Sequence, residues 1–276
     1  MLPQMKKSIC TIATVFAASI ASYSQNQRAT PNGLLNDLYA YYKLDEASGD
    51  AVDALGNRLD LQNFGQTIGT TTGKINGGRL WNSGSSAWFS ESDTTKFSPG
   101  AQHFSFSVWV NLTNLVQGSG DTGILVKTGT ATDREYIFYF RVSTGKWALL
   151  CAVDDTHWTL MEYSIAPVAG SWYHCAGGWD GSKIWLNINH AGRQTADFAG
   201  PIQASTSSNF MIGLEAGSDS PFSGIMDEIG FWMGRDLTDA EVSQLYNGGA
   251  GLPFESFRLP APRTRPTPWP RPISPH

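Results

Sequence analysis

Two carboxylates stand where few charges are tolerated. In GIMDEIGFWMGRDLTDAEVSQLYNGG, Gly224–Gly249, the aromatic and aliphatic run Ile225–Trp232 reads as a buried strand, and Asp227 and Glu228 lie inside it. An unpaired charge there would cost several kcal/mol. A pair of acids is also what glycoside hydrolysis uses, and the retaining reaction needs carboxyls about 5 Å apart. Adjacent residues of a regular strand point to opposite faces, so Asp227 and Glu228 are not expected to work as that pair. His103, His157, His174 and His190 show neither a nucleophile elbow nor zinc-type spacing. No catalytic residue is assigned.

A second constellation lies early in the chain. Asp45, Glu46, Asp50, Asp53, Asn57 and Asp60 crowd the turn-rich segment DEASGDAVDALGNRLDL. Oxygen ligands on such a loop can wrap a hard cation such as Ca²⁺, although the spacing is not that of an EF-hand. A solvated acidic loop closed by Asx turns accounts for the same residues. The third group is aromatic. Trp88, Trp147, Trp158, Tyr163 and Trp185 could stack on sugars, and each could equally pack in a core. Trp158 follows Asp154–Asp155 in the most loop-like setting and is the best candidate for an exposed ring.

The elements that must position these groups are mostly strands. With 29 glycines, 10 tryptophans and 16% charged residues, turns and short strands are favoured over helices. Leu38–Leu44 is an aromatic strand, and Arg79–Ser90 reads as a hairpin around Gly84. In Phe104–Asn111 the residues Phe104, Phe106, Val108 and Val110 alternate with Ser105, Ser107, Trp109 and Asn111, giving one strongly apolar face. Ile124–Lys127, Glu135–Val142 and Lys146–Asp154 follow. In Ser171–Phe198, Asp180–Gly181 and Asn189–Gly192 turn an antiparallel meander. Strands at this spacing, roughly a dozen, predict a sandwich or barrel. One short helix closes the series: Thr238 and Glu241 form a capping box, Leu237 can staple against Val242, and Gly248–Gly249 supplies the left-handed stop.

The ends have different compositions. Lys6 and Lys7 precede the apolar run Ile9–Ile20 and the small residues Ala21, Ser22 and Ser24, which is the layout of a secretory signal peptide over residues 1–24. A flexible leader then spans 25–36 and a single domain 37–255. Residues 256–276 form a Pro/Arg-rich disordered tail; from Arg258 onward it holds seven of the 14 prolines. Export permits a disulfide between Cys151 and Cys175 if their strands are neighbours, and two buried thiols are the alternative. A net charge of −5 gives no reason to expect nucleic acid. No other stretch approaches the length of a membrane span.

Five stretches together resemble a known family. LYAYYKLDEASGDAVDALGNRLDL, Gly73–Ser90, Phe104–Asn111, Trp172–Gly192 and MDEIGFWMGRDLTDAEVSQLYNGGAG occur in the order found in laminin-G-like (concanavalin A-like) domains. The last is the most specific. The resemblance covers roughly Leu38–Phe254. Asn189–Gly192 is longer than the usual turn, and Leu55 replaces a common small residue. The resemblance implies an all-β concanavalin A-like jelly-roll sandwich of two antiparallel sheets with one short C-terminal helix. It also implies a structural Ca²⁺ held by Asp53, Asn57 (through its carbonyl) and Asp227, with Asp60 and Glu228 as further candidates; pairing of the two strand acids with Arg235, Lys43 or backbone amides is the alternative. The E-x-D-x-x-E strand of catalytic relatives does not occur here. The expected role is therefore a secreted, non-catalytic binding or adhesion module with a glycan as ligand, using Trp158, Trp147, Tyr163 or Trp185. A structural or protein-interaction module of the cell surface is the alternative.

Overall fold

The computed structural model describes residues 33–82, 84, 86–116, 120–129, 133–214 and 221–257. Leu34–Phe257 form one compact unit. The signal-peptide reading, most of the leader and the Pro/Arg tail from Arg258 lie outside the described residues.

Fifteen strands follow one another among the described residues. They are β1 (Leu38–Tyr42), β2 (Gln62–Gly65), β3 (Gly69–Thr72), β4 (Gly77–Trp81) and β5 (Ala87–Glu91), then β6 (Phe104–Leu112), β7 (Thr122–Thr128), β8 (Arg134–Arg141), β9 (Lys146–Ala152) and β10 (Trp158–Glu162). The series ends with β11 (Trp172–Trp179), β12 (Lys183–Ile188), β13 (Gln194–Asp197), β14 (Asn209–Ile212) and β15 (Gly224–Met233), followed by the helix α1 (Asp239–Tyr246). One sheet of eight strands runs β13-β12-β11-β6-β15-β4-β3, with β1 added on β15; the other, of seven, runs β10-β9-β8-β7-β14-β5-β2. All pairings are antiparallel, so the expected two-sheet jelly-roll sandwich is the fold.

Alternation sorts the side chains. Phe104, Phe106, Val108 and Val110 of β6 meet Phe138, Phe140, Trp147 and Leu149 of the facing sheet in the main core. Unlike the one-faced strand expected, every residue of β6 is buried. The reason is a roof: Leu237, Val242 and Leu245 of the helical segment, with Leu34, Phe254 and Phe257, cover the outer face of the eight-stranded sheet over Tyr41, Trp185 and Trp232. The Trp109 ring lies 6.0 Å from that of Tyr246 at 18° between planes.

Helix punctuation matches the sequence expectation at the start and shifts at the end. Thr238 accepts from the Glu241 amide, while Glu241 returns a bond to the Thr238 amide. The left-handed stop begins one residue earlier than expected, at Asn247 (φ 47°), before Gly248. One further expectation is corrected. β4 and β5 do not form a hairpin around Gly84; they sit in different sheets, so this segment crosses the sandwich. Cys151 and Cys175 lie on strands of opposite sheets and are free, buried thiols, the second of the two alternatives the sequence left open.

Candidate functional site

The outer face of the seven-stranded sheet carries the exposed aromatic rings. Register fixes which residues share it: Leu160, Leu150, Ile137, Val126, Met211, Ser90 and Gln62 form one row across all seven strands. Trp158 is paired with Ala152 and so stands on this face at the β10 edge, 49% exposed. At the opposite edge Phe64 of β2 is paired with Trp88 of β5, and the two rings stack with centroids 5.9 Å apart and planes 12° apart. Phe64 is 36% exposed. Sequence reasoning missed Phe64, because a four-residue strand with one aromatic carries no periodicity. Its pairing with Trp88 is visible only across strands.

The other aromatic candidates are displaced from any surface. Trp147, Tyr163 and Trp185 are buried. Trp147 packs on Phe138 and Tyr173 in the core, the Tyr163 hydroxyl donates to the Gly192 carbonyl, and Trp185 lies under the Arg193 guanidinium 3.8 Å from its ring centre. Rings enclosed in this way offer no face to a sugar, so these three are corrected to packing residues. Trp158 ended up at the first residue of a strand rather than in a loop. Beside it, Asp154 closes the β9–β10 turn by accepting from the amides of Thr156 and His157 and from the Thr156 hydroxyl.

Two clusters of polar and charged side chains flank this face. Glu162 of β10 accepts from Arg141 at 2.8 Å, and Lys146 stands 3.5 Å from its other oxygen. At the far end of the strands Asp133 and Asp155 both take the Gln203 amide.

The acids singled out in the sequence lie on the other sheet, beneath the roof. Strand parity fails here. Asp227 faces Trp109 and Gly230 faces Ser107, so two residues, Glu228 and Ile229, stand opposite Val108 alone and form a β-bulge. Glu228 takes a left-handed φ of 50°, an uncommon conformation for a residue with a Cβ. The bulge turns Glu228 to the same outer face as Asp227, where the Tyr41 hydroxyl donates to it. The expectation that the two acids point apart is therefore corrected. Both are buried. Burial pushes the Asp227 carboxyl up to about 8, against a lowering hydrogen bond from the Ile75 amide and with a further rise from Glu228. Burial likewise raises Glu228 to about 8, against the bond from Tyr41 and with help from the Asp45 and Glu255 charges.

These residues do not fit the expected calcium set. Asp53 Oδ1 accepts from the amides of Tyr41 and Leu55, and Oδ2 from that of Asn57 at 2.8 Å. Asp60 takes the Asp53 amide, and the Asn57 side chain donates to the Tyr39 carbonyl. The loop is thus closed by its own backbone, which is the Asx-turn alternative. Asp45 stands nearer the strand acids electrostatically and accepts from the Gly77 amide. Among the described residues no three or more His, Cys, Asp or Glu are grouped to hold a metal ion.

A family model described as the concanavalin A-like lectin/glucanases superfamily matches residues 82–243 of this chain. The chain belongs to this superfamily. Among solved structures, the superfamily fold of this chain is similar to domain 4 of AbnA, a GH43 extracellular arabinanase from Geobacillus stearothermophilus, in complex with arabinotriose. That likeness has a TM-score of 0.59 and 20% identity, over 78% of this chain and 98% of the domain. It is also similar to the binding domain of Paraclostridial Mosquitocidal Protein 1 (TM-score 0.60, 14% identity, 78% of this chain, 52% of that one). A third is the binding domain of botulinum neurotoxin DC in complex with rat synaptotagmin II (TM-score 0.55, 9% identity, 79% and 52%). The chain spans about half the length of the two toxin binding domains. No curated protein sequence matches it.

Proposed function

We propose that this chain is a secreted, non-catalytic carbohydrate-binding module that takes its ligand on the outer face of the seven-stranded sheet, at Trp158. The observation that carries the reading is the exposed Trp158 ring, held on a strand rather than a loop, with hydrogen-bonding neighbours at Asp154 and His157. An indole on a rigid strand stacks on the apolar face of a sugar with little loss of conformational freedom. The fold likeness to a domain solved with arabinotriose supports the ligand class. Enclosure supports the absence of catalysis: Asp227 and Glu228 share a face, yet both are sealed beneath the roof, out of reach of a sugar polymer. Secretion rests on Lys6, Lys7 and the apolar run Ile9–Ile20.

A second reading, a protein-interaction module, is favoured by the likeness to a toxin domain solved with synaptotagmin II. A glycan array with the full chain tests the first reading. Binding that Trp158→Ala removes is the expected result. Silence across neutral and charged glycans would leave the protein-interaction reading.

A further inference from the structure

The outer face of the eight-stranded sheet carries polar side chains that the roof encloses. Register sets them in a row: Gly230 of β15 faces Ser107 of β6, Ser107 faces Ala176 of β11, and Ala176 faces Asn187 of β12. His174 stands two residues before Ala176 on the same face, diagonal to both Ser107 and Asn187. Above them lies the helix. Ala176 packs in one cluster with Val242 and Leu245 of α1, and the Tyr246 ring lies 6.1 Å from that of His174. Ser107, His174 and Asn187 therefore surround a single methyl, that of Ala176, under an aliphatic cover. One bond closes part of this ring, His174 Nε2 lying 2.8 Å from the Ser107 hydroxyl. The other polar atoms are not met. Among the described residues no protein group partners His174 Nδ1, Asn187 Oδ1 or Asn187 Nδ2, although the two side chains are 0% and 1% exposed. A buried primary amide with both ends unmet is costly, and native folds rarely keep one.

The chemistry of these atoms narrows the occupant. It must both accept and donate, because the Asn187 amide offers a donor nitrogen and an acceptor oxygen. It must be neutral. Burial and the nearby His190 keep the His174 imidazole uncharged at neutral pH, and a charged guest would find no counter-charge in Ser107, His174 or Asn187. It must also be small, since none of these three side chains, nor Ala176, is more than 3% exposed. Three polar partners are the usual complement of a buried water. We propose that one water molecule is built into the seam between this sheet and α1, held by His174 Nδ1 and both ends of the Asn187 amide. It ties β11 to β12 beneath the helix. The site lies on the other sheet from Trp158 and stands apart from the carbohydrate-binding reading.

The sign of one substitution tests this. Asn187→Leu keeps the side-chain volume and removes the amide. Were the seam dry, the change would delete an unmet polar group and raise stability. With the water in place it takes away two of three partners, so the melting temperature of the full chain should fall by a few degrees. His174→Phe should lower it as well. The double variant should lose clearly less than the sum of the two, because both changes act on one water; the loss of the Ser107 bond is common to His174→Phe and the double variant and cancels in the cycle. A high-resolution crystal structure of the wild-type chain supplies a measurement that needs no variant to fold. It should show one ordered solvent peak within hydrogen-bonding distance of both side chains. A stabilised Asn187→Leu, additive losses in the cycle, or wild-type density without that peak overturns the water site.

Discussion

The Tyr41 hydroxyl donates to the Glu228 carboxyl, joining β1 to the bulge of β15 beneath the roof of α1. The bond explains how a left-handed residue persists in a central strand: packing leaves it no alternative. A Cβ on Gly230 would meet the Trp232 ring at 2.6 Å and Tyr41 at 3.1 Å. Gly230→Ala should therefore lower stability by roughly 2 kcal/mol or more, read from denaturant melts.

The acid pair makes stability fall with rising pH. Asp227 and Glu228 have folded pKa values near 8, above those of the unfolded chain, so the stability they contribute is complete below about pH 4 and is lost as pH rises to about 8. Asp227→Asn should raise stability at pH 8 by on the order of 2 kcal/mol and leave it almost unchanged at pH 4. Equal melting curves for variant and wild type at pH 8 would show that the pair is relieved by other means. A melting temperature that climbs with calcium, and ceases to in both Asp53→Ala and Asp227→Asn, would restore the ligand set that the loop geometry disfavours.

His174 acts in the opposite direction. Burial, with His190 nearby, holds it down to about 3, and its Nε2 lies 2.8 Å from the Ser107 hydroxyl. The folded value lies below the unfolded one, so stability is complete above about pH 6.5 and declines as pH falls towards 3. Together with the acid pair this predicts a stability maximum in mildly acidic solution. His174→Gln should flatten the acid limb of the profile and leave the alkaline limb unchanged.

Exposed and buried tryptophans should separate cleanly. Trp158→Ala is expected to alter stability by less than about 0.5 kcal/mol, because the ring is half in water. Trp185→Ala should cost roughly 3–5 kcal/mol, since it empties a closed volume and removes the surface on which Arg193 lies. Urea titration of both variants reads the difference.

The helix cap is an independent element. Thr238 bonds Glu241 in both directions. Thr238→Ala should lower stability by about 1 kcal/mol and speed hydrogen exchange in α1 ahead of the sheets.

Much of this was legible in the chain. Alternation in Phe104–Leu112, the Asp180–Gly181 turn and the Thr238–Glu241 box are local signals, and each specified its own piece of structure. The aromatic candidates were not legible to the same degree, because a Trp in a strand reads alike whether its partner is water or another sheet. Trp147 and Trp158 differ only in what packs on them.

By itself the sequence determined an all-β sandwich or barrel, the meander and the closing helix, since period-two patterns and caps act over a few residues; the family resemblance singled out the sandwich. Tertiary structure decided the rest. It set Trp81 and Ala87 into different sheets, roofed the face of Trp109, and inserted a bulge that brought Asp227 and Glu228 to one side. It also placed Phe64 and Trp158 at opposite edges of one face. Each of these depends on contacts between residues far apart in the chain, where loop connections and register, rather than local preference, choose the neighbour.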